Sequence, residues 1–192
     1  RQLRRALRQE ELVNALIRAI RESLDYQSTL QTIVEKLSEH FGAQFALLRP
    51  LEQGKISAEL FTQPEDLPFF AVKTLDLSEK AIATGEVQQE NAVYDEEQWL
   101  QLTVPLVWQQ ETYAVLSFWR QTADISWSTT DLQILEAIVE QAALAIAQTK
   151  LYYTIEQQAE KMRAELEVAR QIQHNLVPQT LPTTPNARVQ GS

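Results

Sequence analysis

The chain has 192 residues, 44% hydrophobic and 22% charged, with two His, four Gly, seven Pro and no Cys. That is ordinary globular usage for one domain with extensions. The missing thiol excludes disulfides, thiolate nucleophiles, Cys-ligated zinc, iron–sulfur clusters and thioether-linked tetrapyrroles from this chain.

The charge of −9 is unevenly spread. Residues 1–24 hold six Arg against three Glu, a net of +3, whereas 52–97 hold eleven acids against Lys55, Lys73 and Lys80, a net of −8. Such a body repels phosphate backbones and anionic membranes, so no nucleic-acid or membrane partner is expected. The six Arg read as a solvated helix face. No apolar run is long enough to span a bilayer, and no signal segment is evident. A start at Arg1 and an end at Gly191-Ser192 read as a fragment of a cytoplasmic protein.

The first element is a helix over 1–24. Leu3, Ala6, Glu10, Val13, Ile17, Ile20 and Leu24 recur at alternating threes and fours, a heptad seam with one polar position. Asp25 is placed to cap a second helix, whose apolar positions are Leu30, Ile33, Val34, Leu37 and Phe41, with Gly42 after its end. A strand at 45–48 leads to Pro50; Glu52-Gln53-Gly54-Lys55 reads as a hairpin turn, and 56–61 pairs back. Residues 62–102 read as mostly irregular, with a short helix at 77–84 capped by Asp76 and a short strand at 87–93. Two firm strands follow at 103–108 and 112–120; the second is apolar on both rows, as a covered central strand is.

The last helix has the clearest start. Ser128 and Asp131 form a capping-box pair, and Trp127 and Leu132 a hydrophobic staple. No Gly or Pro follows until Pro178. The apolar face is broad as far as Ile146, then narrows to Ile155, Ala159, Met162, Leu166, Ala169 and Leu176, a period of 3.5 residues suited to a coiled coil. Pro178 is expected to end the helix, and 178–192 to be an extended linker. The order is therefore helix 1–24, α/β body 25–150, coiled-coil helix 151–177 and linker 178–192. The cheapest burial for both seams (Leu3, Val13, Ile17, Ile20 and Leu24 in one; the six residues from Ile155 to Leu176 in the other) is a parallel homodimer.

The stretches from Ile17 to Asp25, Leu30 to Val34 and Gly42-Ala43 resemble the opening of GAF domains. Val104-Pro105-Leu106, Ala114-Val115-Leu116 and the block from Trp127 to Ile146 resemble that fold's last strands and closing helix. The leading helix–strand order favours GAF over the related PAS fold. The resemblance implies an α+β class: a central antiparallel sheet flanked by helices, with long coiled-coil-like helices at both ends. It also implies a non-catalytic sensor. The run from Glu165 to Pro178, then Leu181-Pro182 and Pro185, resembles the linker before the catalytic domain of bacterial stress- and sporulation-type phosphatases of the protein phosphatase 2C superfamily. That implies a metal-dependent Ser/Thr phosphatase domain acting in cis, with Mn or Mg held there and no cofactor in this segment.

No catalytic or metal-binding residue is expected here. Glu65-Asp66 and Glu96-Glu97 read as solvated charge, His40 as a cation at a helix C-terminus, and His174 as an exposed or seam residue. By resemblance, a ligand would sit between the sheet and the segment 62–102. Its lining would be Phe69, Phe70, Tyr94 and Trp99 from the cover and Phe45, Phe61, Ser117 and Trp119 from the sheet. The same residues could instead fill the core. The acidic cover implies a small apolar or neutral ligand, and without Cys there is no covalent bilin.

Overall fold

The computed structural model describes residues 1–121 and 127–180, with side chains placed through 175. The described elements are α1 (Gln2–Arg21), α2 (Tyr26–His40), β1 (Phe45–Glu52), β2 (Lys55–Ile56), β3 (Phe61–Gln63), α3 (Phe69–Lys73), α4 (Asp76–Thr84), β4 (Gln88–Tyr94), β5 (Glu97–Trp108), β6 (Glu111–Gln121) and α5 (Thr129–Thr180). The chain divides into two units, Arg1–Lys150 and Leu151–Ser192.

In the first unit an antiparallel sheet runs β2-β1-β6-β5-β4, with β3 also paired to β1. Its hairpins close at Gln53-Gly54, Asp95-Glu96 and Gln109-Gln110, all at positive φ. Paired left-handed residues match the right-handed twist of the strands they join. Five of these six are not glycine and hold a conformation that costs L-residues about 1–2 kcal/mol each. β1 passes through Pro50 to end at Glu52, four residues beyond the expected strand, and the Pro50 carbonyl still accepts from the Ser57 amide at 2.8 Å.

Helices cover one face of this sheet. α2 begins as expected: the Asp25 carboxylate accepts the Ser28 amide at 2.7 Å, and that bond holds its pKa below the ordinary carboxylate value. Leu30, Ile33 and Leu37 then meet Ala46 and Leu48 of β1, Leu102 of β5, and Leu116 and Phe118 of β6 in one buried cluster. The start of α5 completes it with Leu135, Ile138, Ala142 and Ile146. Each such Leu, Ile or Phe contributes roughly 1.5–3 kcal/mol by leaving water.

α5 starts as the sequence predicts. Ser128 Oγ accepts the Asp131 amide at 3.1 Å, and the Asp131 carboxylate accepts the Ser128 amide at 3.2 Å. Trp127 is buried with its indole donating to the Phe41 carbonyl at 3.4 Å, and the Arg120 guanidinium lies over its ring. The helix runs to Thr180, two residues past the stop expected at Pro178.

Three expectations at the periphery need correction. α1 ends at Arg21, so Leu24 lies outside it, 96% exposed. Ile20 is buried in the core cluster and Val13 packs against it, so the C-terminal half of α1 belongs to the body. Asp76 does not cap α4; it is the helix's first residue, where a carboxylate still suits the dipole, and Leu75 precedes it without a side-chain bond. Segment 62–102 is more regular than expected: it contains most of β3, all of α3, α4 and β4, and the start of β5.

Among the described residues, no helix is long and apolar enough to cross a membrane.

Candidate functional site

The sheet's second face is where the cover packs. β1, β6 and β5 alternate, and their register sets Phe45 opposite Trp119, Leu47 opposite Ser117, Arg49 opposite Val115, Trp119 opposite Gln101, and Ser117 opposite Thr103. Leu47, Ala71 of α3, Trp99 and Trp119 form a small buried cluster, with Phe45, Leu67, Phe70 and Tyr94 against it.

The middle of this face is polar. Gln101 donates to Thr103 Oγ1 at 3.2 Å, and the Thr103 and Ser117 hydroxyls lie 2.9 Å apart. All three residues are buried. Beside them the indole N–H groups of Trp99 and Trp119 are buried with no partner among the described residues. A buried donor left unpaired costs about 1–3 kcal/mol.

Five of the eight residues expected at a ligand pocket meet in the cluster. Phe70 stacks on Tyr94 at 4.3 Å between centroids, and Phe70 and Phe45 tilt against Trp99 at 5.5 and 5.3 Å. Trp119 is fully buried with them, so these aromatics fill much of the space between sheet and cover. Ser117 lies on the same face within the hydroxyl chain. Phe61 does not join them: strand parity turns it to the helix-covered face, where it packs on the main core. Phe69 is 74% exposed with the Lys73 ammonium over its ring, so it lines no interior. The short helix α3 turns Phe70 inward and Phe69 out.

Sequence reading missed Arg49, Gln101 and Thr103. Parity was the available signal, because Arg49 follows Leu47 by two residues and Gln101 and Thr103 follow Trp99 by two and four. Arg49 is 7% exposed. Its guanidinium donates to the Val72 carbonyl at the end of α3, and it has no carboxylate partner among the described residues. Burial pushes its pKa below the ordinary arginine value. It opens onto a groove of about 600 Å³ that Lys55, Ile56, Ser57, Leu75 and Ile82 also line.

Every acid between 52 and 97 is exposed, Glu65, Asp66, Glu96 and Glu97 included. His40 is the last residue of α2, edge-on to Phe41 at 4.8 Å. Burial lowers its pKa despite an opposing pull from Asp131, which works against the dipole-bound cation expected. No group of three His, Asp or Glu among the described residues could hold a metal.

The described part of the second unit, 151–180, is helical. Ile155, Met162 and Leu166 are 52%, 65% and 60% exposed, Ala159 is half-buried and Ala169 exposed. Tyr152, also exposed, extends the same stripe one step toward the N-terminus. The side chain of Leu176 lies outside the described residues.

A family model for the GAF domain matches residues 25–146. Among curated proteins none matches this chain in sequence. Solved structures share its fold. GAF domains of phosphoenolpyruvate-protein phosphotransferases from Acinetobacter and Coxiella burnetii are 17% and 14% identical, with TM-scores of 0.60 and 0.61. These matches cover 74% and 78% of this chain and 95% and 98% of theirs. A GAF domain/HD domain protein from Geobacter sulfurreducens is 13% identical at a TM-score of 0.53, covering 67% of this chain and 97% of its own. At such identities the likeness speaks for the fold.

Proposed function

The chain belongs to the GAF domain family, and from that premise we propose that it is the non-catalytic sensor and dimerisation module of a bacterial cytoplasmic signalling protein. It regulates a metal-dependent Ser/Thr phosphatase domain attached C-terminally, and it needs no cofactor of its own. The observation that carries this reading is α5. One helix supplies Leu135, Ile138 and Ile146 to the body core and further along presents Ile155, Met162 and Leu166 to solvent at a 3.5-residue period. A stripe that narrow is buried by a second helix of the same kind, so a parallel homodimer through Ile155, Ala159, Met162, Leu166, Ala169 and Leu176 follows. In such a dimer a shift in the body alters the register or rotation of the paired exit helices. The heptad resemblance at Leu3 leaves a minor contact for the start of α1, since Ile20 and Val13 serve the body.

The test is hydrolysis of a phosphoserine protein by the parent chain in Mn²⁺, with and without residues 1–150. The reading expects the rate to change when the body is removed while Mn²⁺ dependence persists. Equal rates, or no phosphatase activity in the parent, would sink it.

A second reading, a small-molecule receptor, is favoured by the two unpartnered indole donors of Trp99 and Trp119. A ligand or water with acceptor atoms would satisfy them. The acids of 52–97, on which a neutral or apolar ligand was expected, are all exposed to solvent. Native mass spectrometry of the freshly purified chain checks this reading: a co-purifying small molecule supports it, and a bare mass in every preparation opposes it.

A further inference from the structure

The groove beside Arg49 extends the receptor reading to a chemical class. An arginine at 7% exposure is seldom left without an anion, because removing its charge from water is costly. Among the described residues its one bond is to the Val72 carbonyl, which leaves most of the guanidinium's donors without a partner there. Of the acids nearby, Glu52 and Glu59 are exposed, and Glu79 lines the groove without an ion pair to Arg49 among the described residues. Lys55 and the half-buried Ser57 stand on the same wall. Apart from Gly54 and Glu79, the remaining wall is aliphatic, made of Ile56, Ala58, Leu75, Ile82 and Ala83.

A cationic end and an apolar wall fit one kind of molecule. We infer that this groove binds a small amphipathic carboxylate, its carboxylate on Arg49 with Lys55 and Ser57 at hand and its hydrocarbon part along Ile56, Leu75 and Ile82. A planar carboxylate can take two parallel N–H bonds from a guanidinium, which a rounded cation such as lysine does not supply. The volume of about 600 Å³ is of the size that small-molecule sites have. The inference rests on the receptor reading for its signalling role, while the binding itself is independent of dimerisation. The strands and α4 that carry the groove all belong to the first unit, so occupancy would be read by the body and passed to its helices.

The probe is hexanoate, titrated into the intact chain and followed by amide chemical shifts and calorimetry. Shifts are expected at Ile56, Ser57, Ile82 and Ala83, with dissociation constants on the order of 0.1–1 mM for so small a ligand. Hexan-1-ol, with the same tail and no charge, should bind at least about 10-fold more weakly. Inorganic phosphate at about 10 mM, which has no tail to lay on the apolar wall, should not displace hexanoate. Arg49→Gln should weaken hexanoate at least about 10-fold. Because Arg49 also ties α3 to the sheet, Lys55→Gln on the exposed hairpin is the second variant, expected to cost a few-fold with the fold intact. Equal affinity for hexanol, displacement by phosphate, or shifts confined to other surfaces each overturn the inference. If hexanoate fails while native mass spectrometry shows another bound molecule, the carboxylate class falls and the receptor reading stands. If both fail, both fall.

Discussion

Replacing Met162 and Leu166 together by Asp separates the two units by their energetics. In one chain both side chains are mostly in solvent, 65% and 60% exposed, so neither supports the chain's own fold. In a parallel dimer four such side chains meet. Burying each contributes roughly 1.5–3 kcal/mol, about 6–12 kcal/mol together. A micromolar dimer amounts to about 8 kcal/mol. The double substitution removes most of that and sets four carboxylates against one another in the seam, adding repulsion. The dimer should therefore dissociate at ~100 µM by light scattering. The body core, which ends at Ile146, should keep its near-ultraviolet circular dichroism and melt within about 2 °C of the parent. A variant that still scatters as a dimer refutes the seam. One whose body unfolds refutes the independence of the body from it.

Other consequences concern the body. Ser128→Ala removes an N-cap acceptor and should cost about 1 kcal/mol in chemical denaturation, with Ser128→Gly nearer the parent; no difference between Ala and Ser would deny the capping box its role. Thr103→Val strands both Gln101 and Ser117, whereas Ser117→Ala leaves Thr103 bonded to Gln101. Thr103→Val should thus be the more damaging, at about 2–4 kcal/mol against about 1, and the reverse order would show that the hydroxyl chain is not as drawn. His40 has a lowered folded pKa, so below its unfolded value of 6.5 the unfolded chain takes the proton first. Stability is then flat above pH 7 and declines as pH falls through 6.5, and His40→Gln should flatten that window. Asp25, also lowered, adds stability that is present above 3.8 and is lost only as pH falls through its folded value.

Elements with strong local chemistry were legible. Asp25, Ser128 with Asp131, and Gln53-Gly54 each act through neighbours a few residues away, and each forms as the sequence predicts. The turn at Asp95-Glu96 was not marked, because left-handed residues there lack the usual Gly and are held by the strands on either side. α1 shows why a heptad is ambiguous: spacing says that a stripe is buried but not against what, and Ile20 is buried by its own chain. Between the sheet and its cover, aromatic content pointed to Phe45, Phe70, Tyr94, Trp99 and Trp119, which meet in one cluster, but composition cannot give strand parity. One residue of phase decides that Phe61 faces the helices and that Arg49 faces the cover. Phe69 beside Phe70 is the helical form of the same problem.

The chain has no cysteine, so one substitution supplies its only thiol and tests the seam directly. In a parallel, in-register seam residue 162 faces its own copy, within the short Cα separation that a disulfide spans. Met162→Cys should therefore oxidise to a covalent dimer in high yield, while Glu160→Cys, on the outer side of the same turn, should stay largely monomeric under the same oxidant. Equal and low cross-linking at both positions would contradict the parallel dimer and the transmission role built on it.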